Sequence, residues 1–452
     1  FTSQITNEHM IKFGVEGRVH KLFYEDLTLR PIESETDPSN LTSPFIHTRI
    51  LDESTIYNSS YTRKPLELSA YIQDKMEFNS LIINLGVRVD YFESDGKVLA
   101  DESDPNIFNP IKPGNRFNDL NNNGIQDAGE ASKTIAERES YWYKKVKGKL
   151  QVSPRFGASF PITDRGIIHF SYGHFFQIPT FENLYSNYAY IIDQTTSLSS
   201  IVGNPELKAQ KTVKYELGLQ QVVFPNVSVD VTLYYSDIRN LLGMEIKSTY
   251  EGFIYGRYVN RDYGNVKGLI LTLDKRYSDY FSAKVDYTYQ VAAGNASDPM
   301  TVYNNNASDP PVEVTKKTVP LNWDQSHTVN LSLTVGDPRD WTASMVFSYG
   351  SGMPYSEDPR YSQGVRFENG GRKPTTMNVD LRANKNFRIF GLDFSAFLLV
   401  YNLFDIANEY GVYGSTGRAT TDLNTKFASP VIGLNTIDEY VKNPTLYSSH
   451  EE

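Results

Sequence analysis

The residues with the clearest chemical pattern lie between Asp119 and Glu130, in the stretch DLNNNGIQDAGE. With Asp119 as position one, oxygen-bearing side chains fall at positions one, three, five, nine and twelve, and a glycine stands at six. This is the register of an EF-hand calcium loop, in which alternate side chains and one backbone carbonyl surround the cation. The stretch predicts a calcium site with these ligands, Ile125 contributing its carbonyl oxygen: Asp119, Asn121, Asn123, Ile125, Asp127 and Glu130.

The alternative interpretation is a turn rich in Asn and Gly, whose side chains cap their own backbone. Three of the ligands are charged, so the expected dissociation constant is on the order of 10⁻⁴–10⁻³ M, as in extracellular modules. The flanking segments, KPGNRF and ASKTIAERESYWYKK, do not form the paired helices of an EF-hand sensor. The predicted role of calcium is therefore structural, to fix one long loop.

Other kinds of chemistry find little support in the sequence. The net charge of −10 comes without a basic stripe, so no nucleic-acid partner is expected. The chain has no cysteine, which excludes disulfides and zinc-thiolate sites. His169 and His174 are five residues apart on a predicted strand, which places them on opposite faces. No Ser, His and Asp set stands out for nucleophilic catalysis, and we predict that the protein is not an enzyme.

The elements that carry these residues are strands, because apolar and polar residues alternate along many segments. In 81–91 and 227–236, every second residue is apolar and the residues between them are mostly polar. Each such strand has one apolar and one polar face. No run approaches the ~20 apolar residues that a membrane-spanning helix needs.

The lengths of the connections show a second regularity. Short joins, such as ITDRG (162–166) and RIFG (388–391), alternate with long ones throughout the chain. An outer-membrane barrel has short turns at one rim and long external loops at the other. The sequence therefore predicts an all-β fold, a transmembrane antiparallel β-barrel with thirteen strands near 8–24, 65–77, 80–94, 145–160, 166–177, 210–223, 226–237, 263–276, 280–293, 325–335, 340–350, 375–387 and 391–402.

Ligand binding is the expected work of the long loops. Aromatic residues are dense in 174–205, and 250–264 adds tyrosines and two arginines. Aromatic side chains offer a large contact area at low entropic cost, although the same residues would equally pack the loops against each other. The candidate ligand contacts are Phe175, Phe176, Phe181, Tyr185, Tyr188, Tyr190, Arg257 and Arg261.

Four segments, in order along the chain, resemble the barrels of TonB-dependent outer-membrane receptors. They are YIQDKMEFNSLIINLGVRVDYF (71–92), SPRFGASFPITDRGIIHFSYGHFFQIPTFENLY (153–185), GNPELKAQKTVKYELGLQ (203–220) and LLVYNLFDIANEYG (398–411). In style they are similar to the Bacteroidota-type receptors that carry a carboxypeptidase-regulatory-like domain.

The resemblance implies a fold of twenty-two strands around an N-terminal plug. Neither the plug nor the energy-coupling box is visible, so residues 1–452 are expected to be the C-terminal part of the barrel. The plug, the first strands and the last strand would then lie outside this chain, and 95–144 would form a long extracellular loop with the calcium site.

The resemblance also implies a function in the bacterial outer membrane. The protein would bind a scarce nutrient (a siderophore, glycan, peptide or cobalamin) and import it with energy from the TonB complex, which acts through the plug. Expected partners are outer-membrane lipid, the TonB complex, the small nutrient ligand and a surface lipoprotein. The alternatives are a passive outer-membrane porin or channel, and a structural or adhesive surface barrel.

Overall fold

One large antiparallel sheet dominates the computed structural model, which describes residues 1–31, 48–192, 200–296, 298–307, 317–358 and 368–423. Each strand of this sheet pairs with its neighbours in chain order. The strands are β1 (Thr2–Gln4), β2 (His9–Val19), β3 (Leu66–Phe78), β4 (Leu81–Glu93), β5 (Lys149–Thr163), β6 (Gly166–Gln177), β7 (Gln210–Phe224), β8 (Val227–Ser248), β9 (Ile254–Ser278), β10 (Phe281–Gly294), β11 (His327–Asp337), β12 (Trp341–Gly350), β13 (Thr376–Ile389) and β14 (Leu392–Val400).

The short turns all join strands at one end of this sheet. Five of them have two residues, 79–80, 164–165, 225–226, 279–280 and 390–391, and 338–340 has three. Phe390 and Gly391 both have positive φ, 51° and 79°. This is the requirement of a type I′ turn, whose twist matches that of the flanking strands.

The long connections all leave the opposite end, as predicted. Their described residues form short strand pairs, one strand parallel to β9, one strand that adds to β10, and four helices. The short strands are Leu22–Leu27 with Asn58–Arg63, Arg30–Pro31 with Thr48–Arg49, Lys97–Leu99 with Tyr143–Lys145, Pro354–Tyr355 with Gly371–Arg372, Ser200–Val202 on β9, and Val319–Pro320 on β10. The helices are α1 (Pro113–Arg116), α2 (Ile135–Trp142), α3 (Phe181–Tyr185) and α4 (Thr301–Ala307). Within the described ranges, no helix has the length and apolar character to cross a membrane.

The register separates an apolar from a polar face, because residues paired across strands share a face. One row of paired residues crosses eight strands with only apolar and aromatic members: Met76, Ile83, Ala158, Phe170, Leu217, Leu233, Leu269 and Tyr289. A row on the opposite face crosses seven strands with only polar members: Gln220, Asp230, Thr272, Asp286, Asn330, Ser348 and Asn378. The sheet thus has one apolar wall and one polar wall.

Among the residues that the structure describes, no second layer packs against the apolar face of the sheet. Leu217 and Leu233, in the middle of the apolar row, are 50% and 53% exposed. The two clusters of buried apolar residues that contain Leu99 and Leu184 are formed mainly by the long connections. On the same outer face, the rings of Tyr172, Tyr215 and Tyr235 follow one another at 5.0 and 6.4 Å, like the aromatic girdle of an outer-membrane barrel. This arrangement suits a wall that faces lipid.

All thirteen predicted strands are present, and β1 adds a short strand at the edge. Two of the predicted boundaries were wrong. The predicted strand 8–24 ends at Val19, and Leu22–Leu27 pairs instead with Asn58–Arg63 above the sheet. The segment 238–262, predicted to be a long connection, continues β8 and β9 as a paired ribbon that turns only at 249–253.

Candidate functional site

The candidate site is the layer of connections at the long-loop end of the sheet. We call it the cap and define it as residues 94–148 and 178–209 with the ribbon tip 238–262. Its residues 193–199 lie outside the described part of the chain. Every candidate ligand contact except Phe175 and Phe176 belongs to the cap, and these two lie in β6 just below it.

Three of the predicted contacts are interior residues of the cap. Tyr185, Tyr188 and Tyr190 are 0%, 8% and 4% exposed. The Tyr185 hydroxyl donates to the carbonyl oxygen of Ser94, and the Tyr190 hydroxyl donates to that of Lys97 at 2.9 Å. These bonds join 178–209 to 94–148, so the three tyrosines fit the alternative interpretation, in which aromatics pack the loops together.

The three phenylalanines of the same segment lie in different environments. The register places Phe175 on the polar face, where the Arg155 guanidinium lies 5.1 Å from its ring. Phe176 is on the opposite face. Phe181 is half-buried and its ring lies 5.2 Å from that of His20. Phe176 is nevertheless among the residues that line a cavity below the cap, so all three remain on surfaces that a ligand inside the barrel or on the cap would meet.

Two cations that the sequence analysis did not single out lie over tyrosine rings of the cap. The Arg63 guanidinium is 3.7 Å from the centre of the Tyr188 ring, and the Lys97 ammonium is 3.5 Å from that of Tyr143. Burial and the nearby Arg63 lower the pKa of Lys97 to about 8. Cations over aromatic faces stabilise such contacts. Arg63 connects the strand Asn58–Arg63 to 178–209, and Lys97, which is also 5.0 Å from the centre of the Tyr188 ring, connects 94–148 to 178–209. The partners are far apart in the sequence, and no local pattern signals the contact.

The two predicted arginines differ in their surroundings. Arg257 donates to the Glu245 carboxylate at 2.6 and 2.9 Å and also to Glu102. The Lys247 ammonium contacts the same two carboxylates, that of Glu102 at 2.7 Å and that of Glu245 at 3.1 Å. Charge-assisted bonds of this kind fix geometry, so Arg257 ties the ribbon to 94–148. Arg261 is exposed and makes one long contact, 3.5 Å to the carbonyl oxygen of Met244.

Below the cap, the polar face of the sheet encloses a cavity of about 290 Å³ with charged walls. Arg88 and Asp90 contribute a salt bridge of 2.8 Å to this wall. The charged residues that line it come from four adjacent strands: Glu16, Arg18, Glu67, Arg88, Asp90 and Lys149. This surface can hold polar groups by hydrogen bonds and ion pairs.

The chain of the predicted calcium loop reverses direction at its glycine, Gly124. Gly124 has φ of +75°, a conformation that side-chain-bearing residues avoid. The Asp119 carboxylate accepts from the backbone N–H groups of Asn123 and Gly124 at 3.1 and 2.9 Å. The Asn121 and Asn123 side-chain oxygens accept from the N–H groups two residues later. The first half of the loop is therefore closed around its own side-chain oxygens.

The second half of the loop is closed by Asp127 and Glu130. The Asn121 and Asn123 side-chain amides both donate to one oxygen of Asp127, at 2.7 and 2.8 Å. Glu130 accepts from the N–H of Asp127 at 3.0 Å, and from that of Leu120. Within the described residues, no three His, Cys, Asp or Glu side chains are grouped closely enough to hold a metal alone. A cation would therefore need oxygens of the two asparagines, which can turn toward it by rotation of the amide groups.

Comparison with known proteins gives the same architecture. The family model described as "TonB dependent receptor-like, beta-barrel" matches residues 5–403. No curated protein matches the chain.

Several solved structures share the fold at low sequence identity. The outer membrane transporter YddB from Escherichia coli has 12% identity and a TM-score of 0.59 over 90% of this chain and 49% of its own. The FrpB iron transporter (F5-1 variant) from Neisseria meningitidis has 15% identity and a TM-score of 0.53 over 90% and 50%. The ferric-catecholate import receptor Fiu from Escherichia coli K12 has 17% identity and a TM-score of 0.50 over 92% and 51%. The chain spans about half the length of the solved structures that it matches.

Proposed function

The chain belongs to the TonB-dependent receptor β-barrel family, and we propose that it forms barrel wall and cap of a receptor that binds a scarce nutrient and imports it with energy from the TonB complex. It is a protein of the bacterial outer membrane, and its family is one of transport receptors, not of enzymes. The proposed nutrient is a siderophore, glycan, peptide or cobalamin. The proposed partners are outer-membrane lipid, the TonB complex acting through a plug, and a surface lipoprotein. The Bacteroidota-type subgroup and the count of twenty-two strands stay predictions.

The observation that carries the proposal is the position of the cap over the polar wall. A ligand held at the cap lies directly above the charged cavity that Arg88 and Asp90 line. The ion pairs of Arg257 and the tyrosine contacts join the parts of the cap to each other. A cap with fixed internal contacts supports selective binding rather than passive diffusion.

Energy dependence separates this function from a passive porin. A strain that lacks the gene and the same strain complemented with it are compared for uptake of labelled ferric siderophore, oligosaccharide, peptide or cobalamin. Uptake of one class should require the gene and should stop when a protonophore collapses the inner-membrane gradient. Gene-dependent uptake that continues with the protonophore would mean a porin. No gene-dependent uptake of any class, together with gene-dependent attachment to another cell or protein, would mean an adhesin.

We also propose that the loop 119–130 binds calcium through the predicted ligands. The support is the EF-hand spacing, the left-handed Gly124 and the convergence of the two asparagine amides on Asp127. The loop is closed at its ends by Glu130, so a bound cation would strengthen a turn that already exists. Its role would be to fix the exposed part of 94–148.

Removal of calcium is therefore expected to increase protease cutting between about residues 100 and 140. Limited proteolysis with and without a chelator measures this, followed by mass spectrometry of the first cuts. The variant Asp127→Asn should be cut at the chelated rate even in calcium, because it loses one of three charged ligands. The exposed Asp52, outside the loop, gives the control Asp52→Asn. Equal cutting with and without the chelator would count against the site.

A further inference from the structure

A second cavity, of about 610 Å³, lies in the connections beside the strand pair Leu22–Leu27 and Asn58–Arg63. Its opposite side is formed by α3 and the residues that follow it. Its volume is in the range of small-molecule sites. It is separate from the charged cavity of the polar face, and none of its lining residues lies in the barrel strands.

Aromatic rings form much of the wall of this cavity. Tyr24 and Tyr61 are directly paired across the two strands, and their rings are stacked with centres 5.2 Å apart. Phe181 contributes from α3, and Phe23 is 66% exposed at the rim. The Tyr24 ring is 45% exposed and keeps a π-face open to the cavity, whereas the Tyr61 ring also packs against Tyr185 and Tyr188, each at 5.7 Å.

The charge of the cavity is negative. Asp26 and Glu182 line it, and no lysine or arginine does among the described residues. Asp26 accepts a hydrogen bond of 3.3 Å from the Tyr24 hydroxyl, and within the described ranges neither carboxylate has an ion-pair partner. Arg63, a cation of the same strand pair, is held over the Tyr188 ring. Burial, with the carboxylates of Asp26 and Glu182, raises the pKa of Tyr24, which agrees with the negative potential.

Carboxylates beside aromatic faces select organic cations. An ammonium or guanidinium group is attracted by both, and the attraction grows when water is excluded. A metal ion would instead need a third anionic ligand, and the described residues contain no such group here. A neutral sugar would bind favourably to the aromatic rings, but it would not gain the electrostatic attraction of the two carboxylates.

From this geometry we propose that the cavity binds a lysine or arginine side chain of an extracellular peptide. The exposed Tyr24 ring contacts the aliphatic stem and the cation, and Asp26 and Glu182 neutralise its charge. The proposal rests on the proposed function and narrows its nutrient to a basic peptide.

The test measures binding of three capped tripeptides to the full-length protein in detergent micelles by isothermal titration calorimetry. They are acetyl-Ala-Lys-Ala-amide and the same peptide with Gln or Glu in place of Lys. We expect the Lys peptide to bind at least about tenfold more tightly than the Gln peptide, and the Glu peptide to show no binding. Equal binding of the Lys and Gln peptides, or no binding of the Lys peptide, would overturn the proposal; equal binding would point to a neutral site, such as one for sugars.

Neutral variants that keep the shape of the cavity locate the site. Glu182→Gln and Asp26→Asn should each weaken binding of the Lys peptide by about tenfold. The control Glu25→Gln removes an exposed carboxylate of the same strand that does not line the cavity, and it should leave the affinity within about twofold. An unchanged affinity in both neutral variants would contradict the site. If the peptides do not bind as expected but gene-dependent uptake is still stopped by the protonophore, only the inference of a basic-peptide site is contradicted. If uptake does not depend on the inner-membrane gradient, the proposed function itself is contradicted.

Discussion

Leu271→Arg is expected to lower the free energy of unfolding in a lipid bilayer by about 2–4 kcal/mol, the cost of a cation on the lipid face of a barrel near the bilayer midplane. Leu271 is paired with Val231 and Tyr287, and all three lie on the apolar face. The adjacent Ile270 is paired with Thr232 and Thr288 on the polar face. On that face the arginine side chain is solvated by water and lies near carboxylates. Ile270→Arg should therefore lower the free energy of unfolding by less than about 1 kcal/mol.

The two variants are a matched pair, because isomeric aliphatic residues one position apart receive the same cation. Urea titration in phospholipid vesicles, followed by tryptophan fluorescence, gives both free energies. The difference between the variants is the informative quantity, since it removes the effects of charge on the unfolded state. Equal costs, or a larger cost for Ile270→Arg, would mean that the two faces are not lipid and water.

Tyr185→Ala is expected to destabilise the cap by about 3–5 kcal/mol. Tyr185 is fully buried, and its ring lies between those of Phe181 and Tyr188 at 6.2 and 6.4 Å. The truncation removes these contacts and opens a void between 94–148 and 178–209. Tyr185→Phe keeps the ring and removes only the hydrogen bond to Ser94, which should cost about 1 kcal/mol.

Hydrogen exchange measured by mass spectrometry separates this effect from a loss of the whole fold. In Tyr185→Ala, amides of 94–148 and 178–209 should exchange faster, while those of β7 to β10 keep the rate of the parent protein. In Tyr185→Phe, the cap should exchange only slightly faster. Unchanged exchange of the cap in Tyr185→Ala would show that the tyrosine does not connect its two parts.

The barrel strands could be predicted because each is specified locally. Lipid on one side and a polar interior on the other impose a period of two, as in the alternation from Leu81 to Tyr91, and the short turns mark where each pair begins. The ribbon 238–262 was missed because above the membrane this environment ends. There Met244 and Tyr255 are fully buried against other parts of the protein, so the apolar residues no longer alternate toward lipid.

For the cap, the sequence predicted which residue types are abundant but not which residues contact each other. Aromatic density in 174–205 indicated contact surfaces, but it did not say whether the rings meet a ligand or each other. The answer depends on partners distant in the sequence, such as Ser94 for Tyr185 and Glu102 for Arg257. Such pairs leave no periodic signal. The same holds for the cavity beside Tyr24 and Glu182, whose walls come from two separate connections.

The most direct measurement of the central claim is a nitroxide scan along β9 from Lys267 to Asp274, with single cysteines introduced into a chain that has none of its own. The protein is reconstituted in bilayers, and collisions of each nitroxide with oxygen and with a water-soluble nickel complex are measured. We predict that oxygen contact is highest at Leu269, Leu271 and Leu273, and nickel contact at Gly268, Ile270 and Thr272. Uniform contact along the strand, or the opposite phase, would contradict a wall with lipid on one side and a polar interior on the other.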